Sequence, residues 1–385
     1  MKICMLVANS VVYDGRTKKQ VSSLARHGHS VEIIGIHDPG LPYAEVGTPG
    51  ILMRRISVWS RRLPKSRFLF PLKFAEYALR LLIRAVESKA DAYQCSAMEL
   101  LLIGWIVSGL NRARLVYDCR EIVTEAMVYQ WLPRQVRHMM RVYEQAFARR
   151  AYAVLNVDPQ RADILADWFN LQDQVIVGNY PELRPASRNG TIRRRANIGD
   201  DTPIILYQGI LRMDRGISEV MQALRLVRQA HFVAMGYGPD RERFSREAES
   251  LGISHRVSFL DPVDPSELVE YAAGADIGVI TLHNTCVNNY YAAPGKLYDY
   301  LMAGLPVIVS DFPGLRAVIE QGSCGAAVDP RDPQARASAI ETIISDKGTW
   351  TRMSQGARRL AETQYNWSVA EQGLLRVYGD LRREQ

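Results

Sequence analysis

PGKLYDYLMAGLPVIVS, Pro294–Ser310, places a helix start and a strand side by side. VIVS, with Pro306 at its edge, reads as a short buried strand. Proline is favoured at the first helical position because its missing N–H is not needed there, so Pro294, Gly295 and Lys296 open the helix. Asp299 lies on the same helical face as Gly295. Exposed amides at a helix start attract phosphate, and a carboxylate one turn further in could accept from the vicinal hydroxyls of a ribose. The rival reading is ordinary helix punctuation with a surface Lys296–Asp299 pair worth only ~0.5 kcal/mol.

Working outward, short apolar runs alternate with amphipathic helices on both sides. PIILYQG, HFVAMGYG, RVSFL, DIGVI and AAVDP surround the stretch. In the first half KICMLVA (2–8), SVEIIGI (30–36), AYQC, RLVYD (114–118), AVLNV (153–157) and QVIVG (174–178) are the strands. Helices are expected at 17–28, with Gly28 just past its end, at about 69–88, from Met98, and around 133–150. This order predicts an α/β chain with two Rossmann-like parallel-sheet domains. Ligands bind beyond the carboxyl ends of such strands, so two such domains are expected to face an interdomain cleft.

A chain of 385 residues is too long for one ordinary core. The expected divisions are 1–180, a Pro- and Arg-rich linker over 181–203 that leads into the second domain, 204–365, and a closing amphipathic helix in 366–385. The net charge of +7 and pI near 9.1 suit anionic ligands or a membrane surface. Cys4, Cys95, Cys119, Cys286 and Cys324 share no metal or redox spacing and read as buried reduced thiols of a cytoplasmic protein. The opening MKICMLVANS is a strand too short for a signal peptide. MELLLIGWIVSGL (98–110) carries Glu99 and falls short of the ~20 residues of a membrane span, so a buried helix is expected. RRISVWSRRLPKSRFLFPLKF (54–74) interleaves cations with aromatics. It fits either peripheral contact with an anionic membrane at the inner face or a solvated acceptor-side loop.

The strand exits hold the chemistry. YQGILRMDRGISEV (207–220) leaves a strand through Gly209, passes Arg212 and Arg215, and enters a helix at Gly216. Glycine lets backbone approach a ligand, and arginine adds bidentate donors. A βα turn with solvated arginines is the rival. AMGYGPD (234–240) offers Gly236, Tyr237 and Gly238, a weak signal that a tight turn also explains. NSVVYDGRTKKQ (9–20) puts Asp14, Gly15 and Arg16 before a helix, with Thr17 as cap, and YDCRE (117–121) supplies Asp118, Arg120 and Glu121 at another strand end. His27 and His29 flank a turn and read as structural. No metal site, Walker loop, G-x-S-x-G elbow or G-x-G-x-x-G fingerprint stands where it should.

Taken together these motifs resemble glycosyltransferase family 4, retaining enzymes of the GT-B fold. The likeness runs almost end to end and is strongest from Ile204 to Ser310. YQGILRMDRGI is similar to the family's G-x-L-x-x-x-K/R-G-I phosphate loop, and VAMGYGPD to its G-x-G-P turn. RVSFLDPVDPSELVEYAAGADIGVI is similar to its strand–helix–strand. PGKLYDYLMAGLPVIVS is similar to P-x-K-L-x-E-Y-x-A-x-G-x-P-V-I. In the first half YDGRTKKQVSSLARHGHSVEIIG is similar to the family's D-x-R … L-A-x-x-G-H-x-V segment.

The resemblance implies transfer of a sugar, with retention, from a nucleotide-diphosphate sugar of UDP or GDP type. The acceptor hydroxyl would belong to a natural-product aglycone, a lipid-linked glycan or a polysaccharide end. No other cofactor, no metal and no nucleic-acid partner is expected. Arg215 would meet the diphosphate with Arg212 assisting, and Asp299 would meet the ribose. Gly209, Gly236, Tyr237, Gly238, Pro294, Gly295, Lys296 and Leu297 would complete the nucleotide side, with Gly15 and Arg16 reaching the donor from the first domain. Asp14, Asp118 and Glu121 would stand on the acceptor side. The closing helix would cross back to the first domain.

The chain departs from the pattern at three places. Tyr291 stands where the first acid of E-x7-E meets the donor sugar, Ile210 stands where many members carry Arg, and Arg120 stands at the catalytic position of a His expected near the reacting sugar. Arginine cannot act as a base, though it could hold an anionic group. These departures fit a non-standard donor or acceptor, or a catalytically silent sugar-nucleotide binder. A nucleotide-sugar epimerase would need acid and histidine constellations that are not found. An NAD-dependent oxidoreductase would need the missing glycine fingerprint.

Overall fold

Strands buried on both faces need near-continuous apolar runs, and helices cover those faces. The computed structural model describes residues 1–47, 49–64 and 69–384. They fall into two compact units: Met1–Gly178 joined by the residues from Ala370 onward, and Asn179–Val369.

The first unit carries β1 (Lys2–Leu6), β2 (Ser30–Ile36), β3 (Ala44–Val46), β4 (Ile51–Ile56), β5 (Ala92–Cys95), β6 (Arg114–Cys119), β7 (Ala153–Asn156) and β8 (Val175–Ile176), in the order β3-β4-β2-β1-β5-β6-β7-β8. Pairing is parallel except between β3 and β4, where a short exposed strand runs antiparallel at the edge. The helices are α1 (Gly15–Arg26), α2 (Phe70–Ser88), α3 (Leu101–Leu110), α4 (Arg134–Ala148) and α5 (Pro159–Phe169). Leu6, Ile34, Tyr93, Leu101, Leu115 and Tyr117 lie in its core. The strand order reverses between β1 and β5.

Three expectations change here. β3 and β4 lie where no strand was expected. Arg54 and Arg55 mask β4 as part of a basic stretch, yet they pair with Glu32 at 3.1 Å and Glu45 at 3.0 Å. Arg61 pairs with Asp38 at 2.8 Å, so three cations of that stretch are paired within the unit; its residues 65–68 lie outside the described residues. The Met98 helix, expected to be buried, starts as a 3₁₀ turn and turns Leu102, Trp105 and Leu110 outward, 42%, 45% and 64% exposed. The cap of α1 is Asp14, whose carboxylate accepts from the Thr17 amide at 2.9 Å, and not Thr17. Gly28 follows α1 at φ +80°, the left-handed position expected of it.

The second unit carries α6 (Thr191–Ala196), β9 (Ile204–Gln208), α7 (Ile217–Leu226), β10 (His231–Met235), α8 (Arg241–Ser250), β11 (Val257–Leu260), α9 (Leu268–Ala273), β12 (Ile277–Ile280), α10 (Val287–Tyr290), α11 (Gly295–Met302), β13 (Val307–Ser310), α12 (Pro313–Gly322), β14 (Gly325–Val328), α13 (Pro333–Ser345) and α14 (Lys347–Thr363). Its sheet, β11-β10-β9-β12-β13-β14, is parallel throughout. This is the doubly wound order, and it reverses between β9 and β12. The segment 181–203 belongs to this unit and is not featureless. α6 is pinned by polar contacts that leave no apolar period: Asn189 Oδ1 accepts from the Thr191 amide at 2.9 Å, and Ile192 alone is buried in it.

The last helix, α15 (Trp367–Arg383), passes the unit boundary at Ala370. In the first unit its buried Tyr378 hydroxyl donates to Gln94 Oε1 at 2.8 Å. All five cysteines are buried and free. Among the described residues no helix is long and apolar enough to cross a membrane.

Candidate functional site

In the second unit the reversal point lies at the carboxyl ends of β9 and β12, where ligands of such sheets bind. The chain leaves β9 through Gly209 at φ +131°, makes a 3₁₀ turn over Met213–Arg215, and enters α7 after Gly216 at φ +66°. A Cβ at Gly216 would lie 2.0 Å from the Thr281 carbonyl oxygen, so only glycine lets this loop close on the end of β12. The Thr281 hydroxyl then donates to the Arg215 carbonyl at 2.8 Å. Tyr237 is 65% exposed, but its flanking glycines are explained by packing. A Cβ at Gly236 would stand 1.9 Å from Gly209 O, and one at Gly238 2.1 Å from Leu211 O. The G-Y-G turn therefore supports the β9–α7 loop from behind, joined by Leu211 N–H donating to Tyr237 O at 2.8 Å.

Asp214 holds the loop's charges in place, a residue the sequence reading passed over. It is 8% exposed and accepts from Arg212 Nε at 2.6 Å and Arg212 Nη2 at 2.8 Å, while Arg215 Nε lies 3.7 Å away. Burial pushes its carboxyl up, but hydrogen bonds from Arg212 and the charges of Arg215 and Arg212 outweigh this and hold it below the usual range. The signal was its place between two arginines in R-M-D-R.

α11 brings up the other side. Pro294 is its cap, with φ −69° and ψ 149°, and not its first residue; Gly295 is the first, exposed and with open space around it. No side chain caps this helix. Its orientation is set by the buried Tyr300, whose hydroxyl accepts from the Gln208 amide at 2.9 Å. Leu297 does not reach the site: its side chain is in the core and its amide donates to Pro294 O at 2.9 Å. Asp299 is half-buried one turn in. Lys296 turns inward, with Nζ 3.8 Å from the centroid of the Tyr207 ring and about 3.0 Å from where a Gly209 Cβ would be. Burial first, and the Arg215 charge next, push its ammonium down to about 7, against the pull of Asp299 and Asp214. Tyr291 ends α10 and meets Tyr290 edge-on at 5.0 Å. Glu219, in the first turn of α7, stands 3.0 Å from His283 Nε2 and keeps that imidazole's pKa raised.

The first unit gathers Asp14, Arg16, Asp118 and Arg120 into one network. Asp118 is fully buried and takes Arg16 Nη2 at 2.6 Å, Arg120 Nε at 3.1 Å and Gln20 Nε2 at 3.3 Å. Arg16, 4% exposed, also donates to Val177 O at 2.5 Å. Arg120 reaches Asp14 Oδ2 and the Thr17 hydroxyl, each at 2.8 Å. Burial raises the Asp14 carboxyl, but the Arg120 charge and the Thr17 amide bring it down to about 2. Two arginines balance two carboxylates, so the network is neutral. Arg16 and Asp118 thus form a buried ion pair whose polar atoms are engaged within the unit. Gly15 and Glu121 remain exposed. Among the described residues no group of His, Cys, Asp and Glu is arranged to hold a metal ion.

Two family models match the chain: a glycosyl transferase 4-like domain over residues 15–179 and glycosyl transferases group 1 over residues 189–360. Among curated proteins it is similar to D-inositol 3-phosphate glycosyltransferases. That of Xylanimonas cellulosilytica is 28% identical over 210 residues, 53% of this chain and 49% of the relative. That of Corynebacterium diphtheriae is 26% identical over 298 residues, 72% of this chain and 68% of the relative. The chain thus matches about half the length of the first and two thirds of the second. Among solved structures, sucrose-phosphate synthase from Thermosynechococcus elongatus shares the fold with a TM-score of 0.83 at 19% identity over 100% of both chains. Anabaena HepE in complex with UDP does so with a TM-score of 0.75 at 16% identity, over 99% of this chain and 100% of that one.

Proposed function

Since the chain belongs to the glycosyltransferase 4-like family and has the GT-B fold, we propose that it moves a sugar, with retention, from a nucleotide-diphosphate sugar to an acceptor hydroxyl. The observation that carries this reading is the convergence of Arg212, Arg215 and Lys296 with the uncapped start of α11 at the β9/β12 reversal. Cleavage of the bond between the sugar's anomeric carbon and phosphate leaves negative charge on the diphosphate. These cations and amides stabilise it where it develops, without a metal ion. Asp299 accepts from the ribose hydroxyls. The acceptor hydroxyl attacks from the leaving-group face and its proton passes to the departing phosphate oxygen.

UDP sugars are the first donors to try, because HepE, of the same fold, is described in complex with UDP and with UDP-glucose. A second reading, a catalytically silent binder, is favoured by Tyr291 where the resemblance calls for an acid and by the neutral Arg120 network. Release of nucleoside diphosphate from UDP- or GDP-sugars in the presence of extracted lipid-linked and soluble glycan acceptors tests this, with the product's anomeric configuration read by NMR. Turnover with a retained anomer supports the enzyme. Binding without turnover across the acceptor pools favours the silent binder.

A further inference from the structure

This inference deepens the reading above and rests on it. The cations of the candidate site are not equivalent. Arg212 is held bidentately by Asp214, and Arg215 leans on the same carboxylate. Lys296 makes no ion pair among the described residues. It comes from α11, crosses to the mouth of the β9–α7 loop, and rests its ammonium on the face of Tyr207 beside Gly209. The Tyr207 hydroxyl donates to the Ile210 carbonyl at 2.7 Å, which fixes the ring under the ammonium. A π face steadies a cation without neutralising it, so this charge remains available to a ligand. Position 210, next along the same loop, carries an isoleucine and supplies no charge.

We propose that Lys296 is the principal diphosphate cation of this protein, delivered from the helix α11 to the place beside Gly209 that a basic residue at position 210 would otherwise serve. When the anomeric carbon–oxygen bond breaks, the bonding pair goes to the phosphate oxygen. Lys296 keeps its proton and stabilises that oxygen by a charged hydrogen bond. The lowered pKa agrees with the geometry: burial and Arg215 disfavour the ammonium, and a diphosphate would restore it. Asp299 and Asp214 face it as well and act in the same direction as the ligand.

The test is calorimetric titration of UDP, GDP and uridine into the wild type, Lys296→Ala, Ile210→Arg, and the Lys296→Ala/Ile210→Arg double variant, with thermal midpoints as a check of folding. The expected result is a loss of about thirtyfold or more in affinity for the preferred diphosphate in Lys296→Ala. Uridine affinity should be unchanged, and the double variant should recover at least about tenfold. Diphosphate affinity within about twofold of wild type in a folded Lys296→Ala overturns this inference and leaves the proposed function standing. A parallel loss of uridine, or no recovery in the double variant, also overturns it, because Lys296 would then act through the fold of the site. A wild type that binds neither diphosphate refutes the functional reading itself.

Discussion

Replacing Asp118 by asparagine removes one charge and almost no volume, which makes it a clean probe of what the first-unit network is for. Asp118 is fully buried, and its partner Arg16 is 4% exposed, so water cannot take over the lost counter-charge. The asparagine amide would also aim hydrogens at the donors of Arg16, Arg120 or Gln20. Breaking a buried pair on one side costs about 3–5 kcal/mol, chiefly through the uncompensated partner. For a unit of this size that is a fall of roughly 6–20 °C in thermal midpoint. Urea denaturation and differential scanning calorimetry read it directly. UDP affinity at the second-unit site should stay within about twofold of wild type. Acid should mimic the mutation. The Asp118 pKa is lowered in the fold, since the charges of Arg16 and Arg120 outweigh burial. Its stabilisation is therefore present above the ordinary carboxylate pKa and lost as pH falls through the folded value. If Asp118→Asn loses less than about 1 kcal/mol yet abolishes turnover, the structural reading is refuted and Asp118 is an acceptor-side functional group.

Other outcomes follow from the same geometry. Gly236→Ala puts a Cβ 1.9 Å from Gly209 O, so the supporting turn must move by about 1 Å; we expect at least about 2 kcal/mol of destabilisation and at least about tenfold weaker UDP binding, against no effect if the two loops are uncoupled. With the Lys296 pKa at about 7, diphosphate affinity should fall as pH rises above it, by up to about tenfold per unit, with proton uptake visible as buffer-dependent binding enthalpy; a flat profile contradicts this. The same lowered pKa makes the free fold carry a buried ammonium below about 7, a cost relieved as pH rises toward the ordinary lysine value. Glu144, 2% exposed and bonded to the Tyr117 hydroxyl at 2.7 Å, is pushed up to about 7 by burial. The stability it contributes is full at acid pH and lost as pH rises through about 7, and a urea-midpoint profile of Glu144→Gln should lack that fall.

The alternation of apolar runs was enough to place most strands, because parallel strands buried on both faces read as unbroken Val, Ile and Leu. β4 was missed where arginines paired to Glu32 and Glu45 interrupt that run. α6 was missed because backbone and side-chain hydrogen bonds hold it, with Ile192 as its single buried residue. The loop glycines were legible as special. That Gly236 and Gly238 serve a neighbouring backbone was not, since the close approach comes from a strand adjacent only in the folded sheet. Arg212 and Arg215 were legible as charges. Asp214, which orients them, read as one more acid among them, and the inward turn of Lys296 depends on Tyr207, far away in sequence. Strand-end charges in the first unit drew notice for function, but charge alone does not separate a solvated ligand site from a buried, self-neutralised network.

The most direct measurement is the thermal shift of the purified protein with UDP, GDP and UDP-glucose, run beside Arg215→Ala and Asp299→Ala. A ligand at a hundred times its dissociation constant adds ~2.7 kcal/mol, which is a readily visible shift. Stabilisation by one diphosphate family, larger with its sugar, and its loss in both variants are the expected results. No shift with any of these ligands, or an equal shift in wild type and both variants, would contradict the claim that the β9–α7 loop and the start of α11 hold a nucleotide-diphosphate sugar.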